Sequence, residues 1–435
     1  YSAGALIHKD TTDQQNIQNS EGKSINTKFA YTEPLSKVAY LEVDYTIGYF
    51  NNSNDRFTDT KGVNGKYENL VDSLSNSFVF NRLVNTPGLN FRVNKKKINY
   101  AFGASVGFNH YIQNNVTDGN KFNYNYTNFY PQANIQFKLK SNQNIRLYYN
   151  GSSNAPSLEQ LQPTVVNTDP LNIYIGNQDL KQSFRHTIST SYNFYNVLKQ
   201  RGLFSNIYMN LTQNAFVQSN TVDNFGRRIY QTVNANGVYN ISLFSNYNFS
   251  ITKSKINFGF GPSASLSRNI DFINGTRDIA NTNSYGFNIN LNKYVANKFN
   301  FYLTPSFRWN HSKASVNSSA NADYWTIEGY GNVSLMLPHK FEINSDISVN
   351  LRQKDPRFSQ NANYTTWNAS IIKRFFKTNA FEVKLGIYDI LDQNRGYNRN
   401  FNSYSFTESY YNTLRRFWLL TLTWNISKNG KPASF

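Results

Sequence analysis

The sequence predicts an all-β protein, an antiparallel transmembrane β-barrel. Three observations carry this reading: strict two-residue alternation, the lack of any long apolar run, and two kinds of connection that take turns along the chain. In residues 301–310, FYLTPSFRWN, one parity holds Phe301, Leu303, Pro305, Phe307 and Trp309, and the other holds Tyr302, Thr304, Ser306, Arg308 and Asn310. Such alternation marks a strand with one apolar and one polar face. No stretch of roughly 18 apolar residues occurs, so no transmembrane helix is predicted. Barrel strands cross a bilayer with their apolarity hidden in alternation, so a membrane location stays open.

Reading in order, strands are predicted near 1–9, 24–34, 38–54, 76–95, 97–113, 121–140, 143–152, 182–197 and 203–220. They continue near 228–251, 254–271, 281–294, 298–313, 320–336, 340–353, 360–376, 379–391 and 407–427, about eighteen in all. Many exceed the ~10 residues that cross a bilayer and would project beyond it. One set of connections is short and basic, around Lys95-Lys96-Lys97, Lys140-Ser141-Asn142, Lys253-Ser254-Lys255, Ala296-Asn297-Lys298, Pro338-His339-Lys340 and Lys377-Thr378-Asn379. The other set is longer and rich in Asn, Ser, Asp and Gly: 52–75, 114–120, 151–181, 272–280, 312–323, 353–361 and 392–405. Short turns on one side and long loops on the other are the asymmetry of an outer-membrane barrel, with the turns periplasmic. A soluble sandwich has no reason to sort its loops this way.

The chain of 435 residues carries 44 Lys+Arg against 26 Asp+Glu, a formal charge of +18. The basic turns would place much of that charge at one membrane rim, beside lipid phosphates. Nucleic acid is not expected as a partner, because the aromatics fall on the apolar parity and not among the basic groups. Cys is absent, which excludes disulfides, thiolate metal sites and cysteine catalysis. The five His (His8, His110, His186, His311 and His339) show no metal-ligand spacing, and His186 shares the apolar parity of Ile188, Tyr192 and Phe194. No enzyme activity, metal or cofactor is expected. The acidic pairs Glu42/Asp44 and Glu342/Asp346 share the polar parity of their strands and are expected to pair with cations across the barrel. Tyr148 and Asn150, at the top of one strand before loop 151–181, and Arg308 and Arg352, on the polar parity of the other half, are the candidate substrate contacts.

Within residues 151–182, Asn154-Ala155-Pro156-Ser157-Leu158, then Leu161, then Gly176-Asn177-Gln178-Asp179-Leu180-Lys181 resembles the "RPS…L.P…GNP.LKPE" stretch of TonB-dependent outer-membrane receptors. Ala155 stands where Arg is usual, Gln178 where Pro is usual and Gln182 where Glu is usual. Three further stretches are similar to the Bacteroidetes members of that family: Tyr31-Thr32-Glu33-Pro34-Leu35, Phe129-Tyr130-Pro131-Gln132-Ala133-Asn134, and Leu385-Gly386-Ile387-Tyr388-Asp389-Ile390-Leu391-Asp392-Gln393-Asn394. The resemblance singles out Pro156, Leu158, Gly176, Asn177 and Leu180 as a family-motif loop. It implies an outer-membrane transporter for active uptake, built as a 22-stranded plugged barrel. Residues 1–435 would then be its C-terminal part, with the plug domain and first strands expected before residue 1. The implied partners are outer-membrane lipids, the TonB complex through the plug, and a surface lipoprotein. Two other readings accompany it: a docking barrel in a surface complex that has lost transport, and an eighteen-stranded porin. Asp72-Ser73-Leu74 also resembles an O-glycosylation site of Bacteroidetes exported proteins.

Overall fold

The computed structural model describes residues 13–426 apart from 118, 162–165, 170, 317, 319–320, 359–362 and 402–405. The described residues form one 22-stranded sheet and a separate two-stranded hairpin. Five members of the sheet are short: Tyr67–Leu70, Val166–Asp169, Asn172–Ile175, Ala215–Val222 and Arg228–Ala235. The other 17 run from Gln14–Pro34 to Phe417–Trp424 as an antiparallel meander in which each strand pairs with the next. Seventeen of the eighteen expected strands coincide with these, and the expected strand at 1–9 lies outside the described residues.

Three of the expected strands need correction. The strand expected at 407–427 is two elements. Phe406–Tyr411 pairs with Gly396–Phe401 in the separate hairpin, and only Phe417–Trp424 joins the sheet, against Phe381–Tyr388. The break falls where side chains tie the backbone to the preceding loop: Asn394 Nδ2 donates to Leu414 O at 3.0 Å and Thr413 Oγ1 donates to Asn394 O at 2.9 Å. The strands expected at 203–220 and 228–251 each break as well, at Asn214 (φ 48°) and Gly237 (φ 103°). Left-handed backbone there ends the barrel ladder and starts a protruding hairpin.

The register confirms the two faces. Leu291, Leu303 and Gly331 lie in one cross-strand row, as do Phe287, Phe307, Ile327 and Leu351. Ile343, Ile371, Leu385 and Leu420 form another. Apart from Gly331, these residues are half-exposed or exposed, as an outer surface in hydrocarbon requires. On the opposite face Asn332, Asp346 and Asn368 align, and so do Asn257 and Asn292. The basic turns are tight: Lys255, Asn297, His339 and Lys340 all have φ between 53° and 61°. Lys340 Nζ donates to Asn379 Oδ1 at 2.8 Å and so links two neighbouring turns.

Alternation inverts part way up the early strands. In Lys121–Lys140 the outward parity reads Phe129, Pro131, Ala133, Ile135, Phe137 and Leu139 in the lower part, but Lys121, Asn123, Asn125 and Thr127 above. The inward parity changes the opposite way, from Gln132, Asn134 and Gln136 to Phe122, Tyr124 and Tyr126. Above the hydrocarbon the outer face meets water, and the apolar face turns to the lumen. The expectation that aromatics keep to the lipid parity therefore fails in these projecting halves.

No pairing joins Gln14–Pro34 to Phe417–Trp424 among the described residues, so the meander presents two edges.

Candidate functional site

The inverted halves create an inner wall. Arg82 aligns with Phe50 on one side and Tyr111 on the other, and Tyr111 aligns with Tyr124. The Arg82 guanidinium lies 5.0 Å from the Phe50 ring centre and 5.3 Å from that of Tyr111, within cation–π reach of both. One of its terminal nitrogens donates to Asn109 Oδ1 at 3.2 Å. Phe80 packs on Tyr111 with ring centres 5.4 Å apart, and Tyr126 meets Tyr111 edge-on at 5.2 Å. Phe80 and Tyr111 are 8% and 4% exposed, which makes this a core and not an open wall.

Loop residues 155–159 cover that core from above. Ser157 starts the short helix Leu158–Leu161. Its Oγ accepts from Gln160 N at 3.3 Å while Gln160 Oε1 accepts from Ser157 N at 2.9 Å, a reciprocal capping box. Between loop and wall lies a cavity of about 660 Å³, lined by Phe80, Arg82, Tyr111 and Asn128 from the wall, by Asn52 and Asn54 from the neighbouring strand, and by Asn154–Glu159 of the loop except Leu158. That volume falls within the ~300–1,000 Å³ typical of small-molecule sites. Burial holds the Arg56 guanidinium below its ordinary value, opposed by the field of the loop carboxylate Glu159.

The motif loop is held by specific bonds. Asn177 N donates to Gln160 O at 2.6 Å, joining its two halves. Asn177 Nδ2 donates to Thr232 O at 2.9 Å, Gln231 Nε2 to Gly176 O at 3.2 Å, and Lys181 N to Asn234 Oδ1 at 2.7 Å. Gly176 and Asn177 thus dock the loop on the hairpin Ala215–Ala235, and Leu180 is buried there. Pro156 is buried beside the cavity. The Leu158 side chain lies outside the described residues.

The four candidate contacts all face inward but do not converge. Asn150 aligns with Gln132 and Thr187, and Tyr148 with Asn134 and Ser189. In the other half Arg308, Thr326 and Arg352 share one row, and the Arg352 guanidinium sits 3.8 Å over the Tyr324 ring. None of the four lines the cavity. Phe80, Arg82, Tyr111 and Asn128 escaped the sequence reading, although the switch from FPQANIQF-type to NYNYTN-type alternation in Lys121–Lys140 signalled them.

Three of the four paired acids meet cations, on neighbouring strands and not across the barrel, whereas Asp346 Oδ2 accepts from Asn368 Nδ2 at 2.7 Å. Glu342 contacts Arg374 at 2.7 Å, and Arg374 also reaches Glu382 at 2.9 Å. Lys28 lies 3.7 Å from Glu42 and 3.8 Å from Asp44. His186 meets Tyr149 Oη at 3.0 Å. No cluster of metal-ligating side chains occurs among the described residues.

The outer membrane protein beta-barrel family matches over residues 2–271 and 272–424, so the chain belongs to that family and resides in the outer membrane. No curated protein matches in sequence. Among solved structures, the chain is similar to ferric citrate transporter FecA in its unliganded form, with a TM-score of 0.50 and 11% identity over 94% of this chain and 55% of that one. Copper transporter OprC aligns with a TM-score of 0.48 and 10% identity over 94% and 65%. The siderophore receptor PirA from Pseudomonas aeruginosa aligns at 0.35 and 9% identity over 86% and 68%. The chain spans under two thirds of the length of the first two. At these identities the likeness to FecA shows the fold, that of an outer-membrane barrel whose solved relatives carry transporter names.

Proposed function

We propose that this chain is the barrel of a TonB-dependent outer-membrane transporter, not an enzyme. Ligand enters from the extracellular side and rests in the cavity between loop residues 155–159 and the Phe80–Tyr111 wall. The observation that carries this reading is the inward-folded, hydrogen-bonded loop over a lumen-facing cavity, on a barrel of transporter fold. Lipid contacts the apolar outer rows, and TonB acts from the periplasmic side through the plug that the motif resemblance implies. Among the described residues Gln14–Pro34 and Phe417–Trp424 do not pair with each other, which is in keeping with further strands closing the barrel.

The test uses the full-length protein in planar bilayers and in binding to the periplasmic domain of TonB. Low conductance together with TonB binding is the expected result. A large constant conductance without TonB binding would assign a porin, with Arg308 and Arg352 facing its pore.

A further inference from the structure

We infer that the barrel carries a site for an anionic phospholipid headgroup at the adjoining turns Pro338–Lys340 and 376–380. The inference rests on the reading that the outer rows contact lipid, and not on transport. Lys373 is a cation on the outward parity, in the row Leu337, Phe341, Lys373, Val383 and Leu422. Its ammonium lies 4.2 Å from the Phe341 ring centre and 5.8 Å from that of Phe375. It also donates to His339 O in the first turn, so the long side chain extends to the rim with its stem along apolar neighbours. Lys340 Nζ donates to Phe376 O, Lys377 O and Asn379 Oδ1, which locks the two turns together. With its three protons engaged, Lys340 supplies field and not a bond to a ligand. Lys373 keeps two N–H groups beyond its bond to His339, and Lys377 stands exposed on the second turn.

The surface beside these lysines is aromatic. Phe375, Phe381 and Trp424 share the next outward row, and the Trp424 ring centre lies 5.3 Å from Phe381 and 5.9 Å from Phe376. Phe341, Phe376 and Trp424 are 40%, 59% and 60% exposed. Left-handed backbone is uncommon for so bulky a residue, yet Phe376 holds φ 64° and so brings its ring against Trp424. This patch continues the lipid-facing row Ile343, Ile371, Leu385 and Leu420 toward the rim. Acyl chains lying on that row place their headgroup at Lys373. Charge then narrows the headgroup. Glu342 and Glu382 lie on the inward parity, held by Arg374 at 2.7 and 2.9 Å. No acid faces outward at these two turns among the described residues, so a phosphate with no cation of its own fits better than a zwitterion.

The test is native mass spectrometry of the detergent-solubilised full-length protein with added dioleoyl phosphatidylglycerol, dioleoyl phosphatidylethanolamine or glycerol phosphate. Phosphatidylglycerol should be retained at least about fivefold better than phosphatidylethanolamine. Lys373→Gln should cut that preference by about fivefold, the size of one lysine at an anionic lipid surface, and Lys373→Arg should keep it. If Lys373→Gln fails to fold, Lys377→Gln, at an exposed turn position, should lower the preference several-fold. Equal retention of the two lipids overturns the inference and leaves the membrane reading standing, whereas retention of neither counts against both. A loss as large in Lys96→Gln would assign the preference to the whole basic rim and overturn the local site. Glycerol phosphate retained as well as the lipid, or a dimer in place of lipid adducts, would give this face another occupant and overturn it too.

Discussion

Two inner walls of the barrel use the same alternation and end in different environments. On the strands Ala39–Lys61 to Lys121–Lys140, the inward aromatics Phe80 and Tyr111 are buried under a loop. On the strands Phe299–Ala314 to Tyr364–Phe375, the inward Tyr330 and Tyr364 are 42% and 36% exposed, spaced by Thr304, Ser306, Ser348 and Asn350. Parity assigns a side chain to the lumen in both cases. Whether that side chain is core or surface depends on what packs against it, as loop residues 155–159 do on the first wall.

Phe80→Ala should destabilise the barrel by about 3–5 kcal/mol, the cost of a buried aromatic truncation. Tyr330→Ala should change stability by less than ~0.5 kcal/mol. Denaturant unfolding followed by heat-modifiable gel migration measures both. Equal effects would mean the second wall is as packed as the first.

A somewhat smaller effect tests the outer face that both walls share. Phe260 aligns with Tyr247 and Ile289 in the outward belt. Phe260→Arg should cost ~2–4 kcal/mol at mid-membrane depth, whereas Asn125→Arg, outward but above the inversion, should cost under ~1 kcal/mol. A similar cost at both positions would place the hydrocarbon boundary above Asn125.

Much of this was legible in the sequence, because a period of two survives in any strand whatever it faces. Phe301, Phe307, Ile343 and Leu420 fall on the outward parity that alternation assigned them. Arg308 and Arg352 are inward as expected, and share a row. What alternation could not supply is long-range. The motif resemblance marks Asn177, but only the hairpin Ala215–Ala235, which brings Thr232 O to its side chain, shows what it does. Arg82 alternates like a strand residue, and only the register places it between Phe50 and Tyr111. The 407–427 stretch keeps strand-like composition through Asn412–Arg416, so its division depended on side-chain ties to Asn394.

The smallest effect concerns the tip of the hairpin that anchors the motif loop. Burial alone would raise the Asp223 carboxyl, but bonds from the Arg227 side chain and from the Arg227 and Phe225 amides outweigh it and hold it below its ordinary value. A depressed folded value adds stability above the unfolded pKa of ~3.9 and loses it as pH falls through the folded value. Amide exchange at Phe225 and Arg227 should therefore show constant protection near neutrality and lose it only below about pH 4. Protection that already declines between pH 7 and 5 would rule out this origin.

The strand Lys121–Lys140 turns an apolar face outward in its lower half and a polar face outward in its upper half, with the cavity wall behind the upper half. The chain has no native Cys, so single nitroxide labels can be placed one at a time along Lys121–Lys140. At Phe129, Ala133, Ile135 and Phe137 the label should respond to oxygen and not to a polar nickel quencher. At Asn123, Asn125 and Thr127 it should respond to the quencher, and at Tyr124 and Tyr126 to neither. One uniform parity along the whole strand, with Asn123 and Asn125 as inaccessible to nickel as Ile135, would contradict the account.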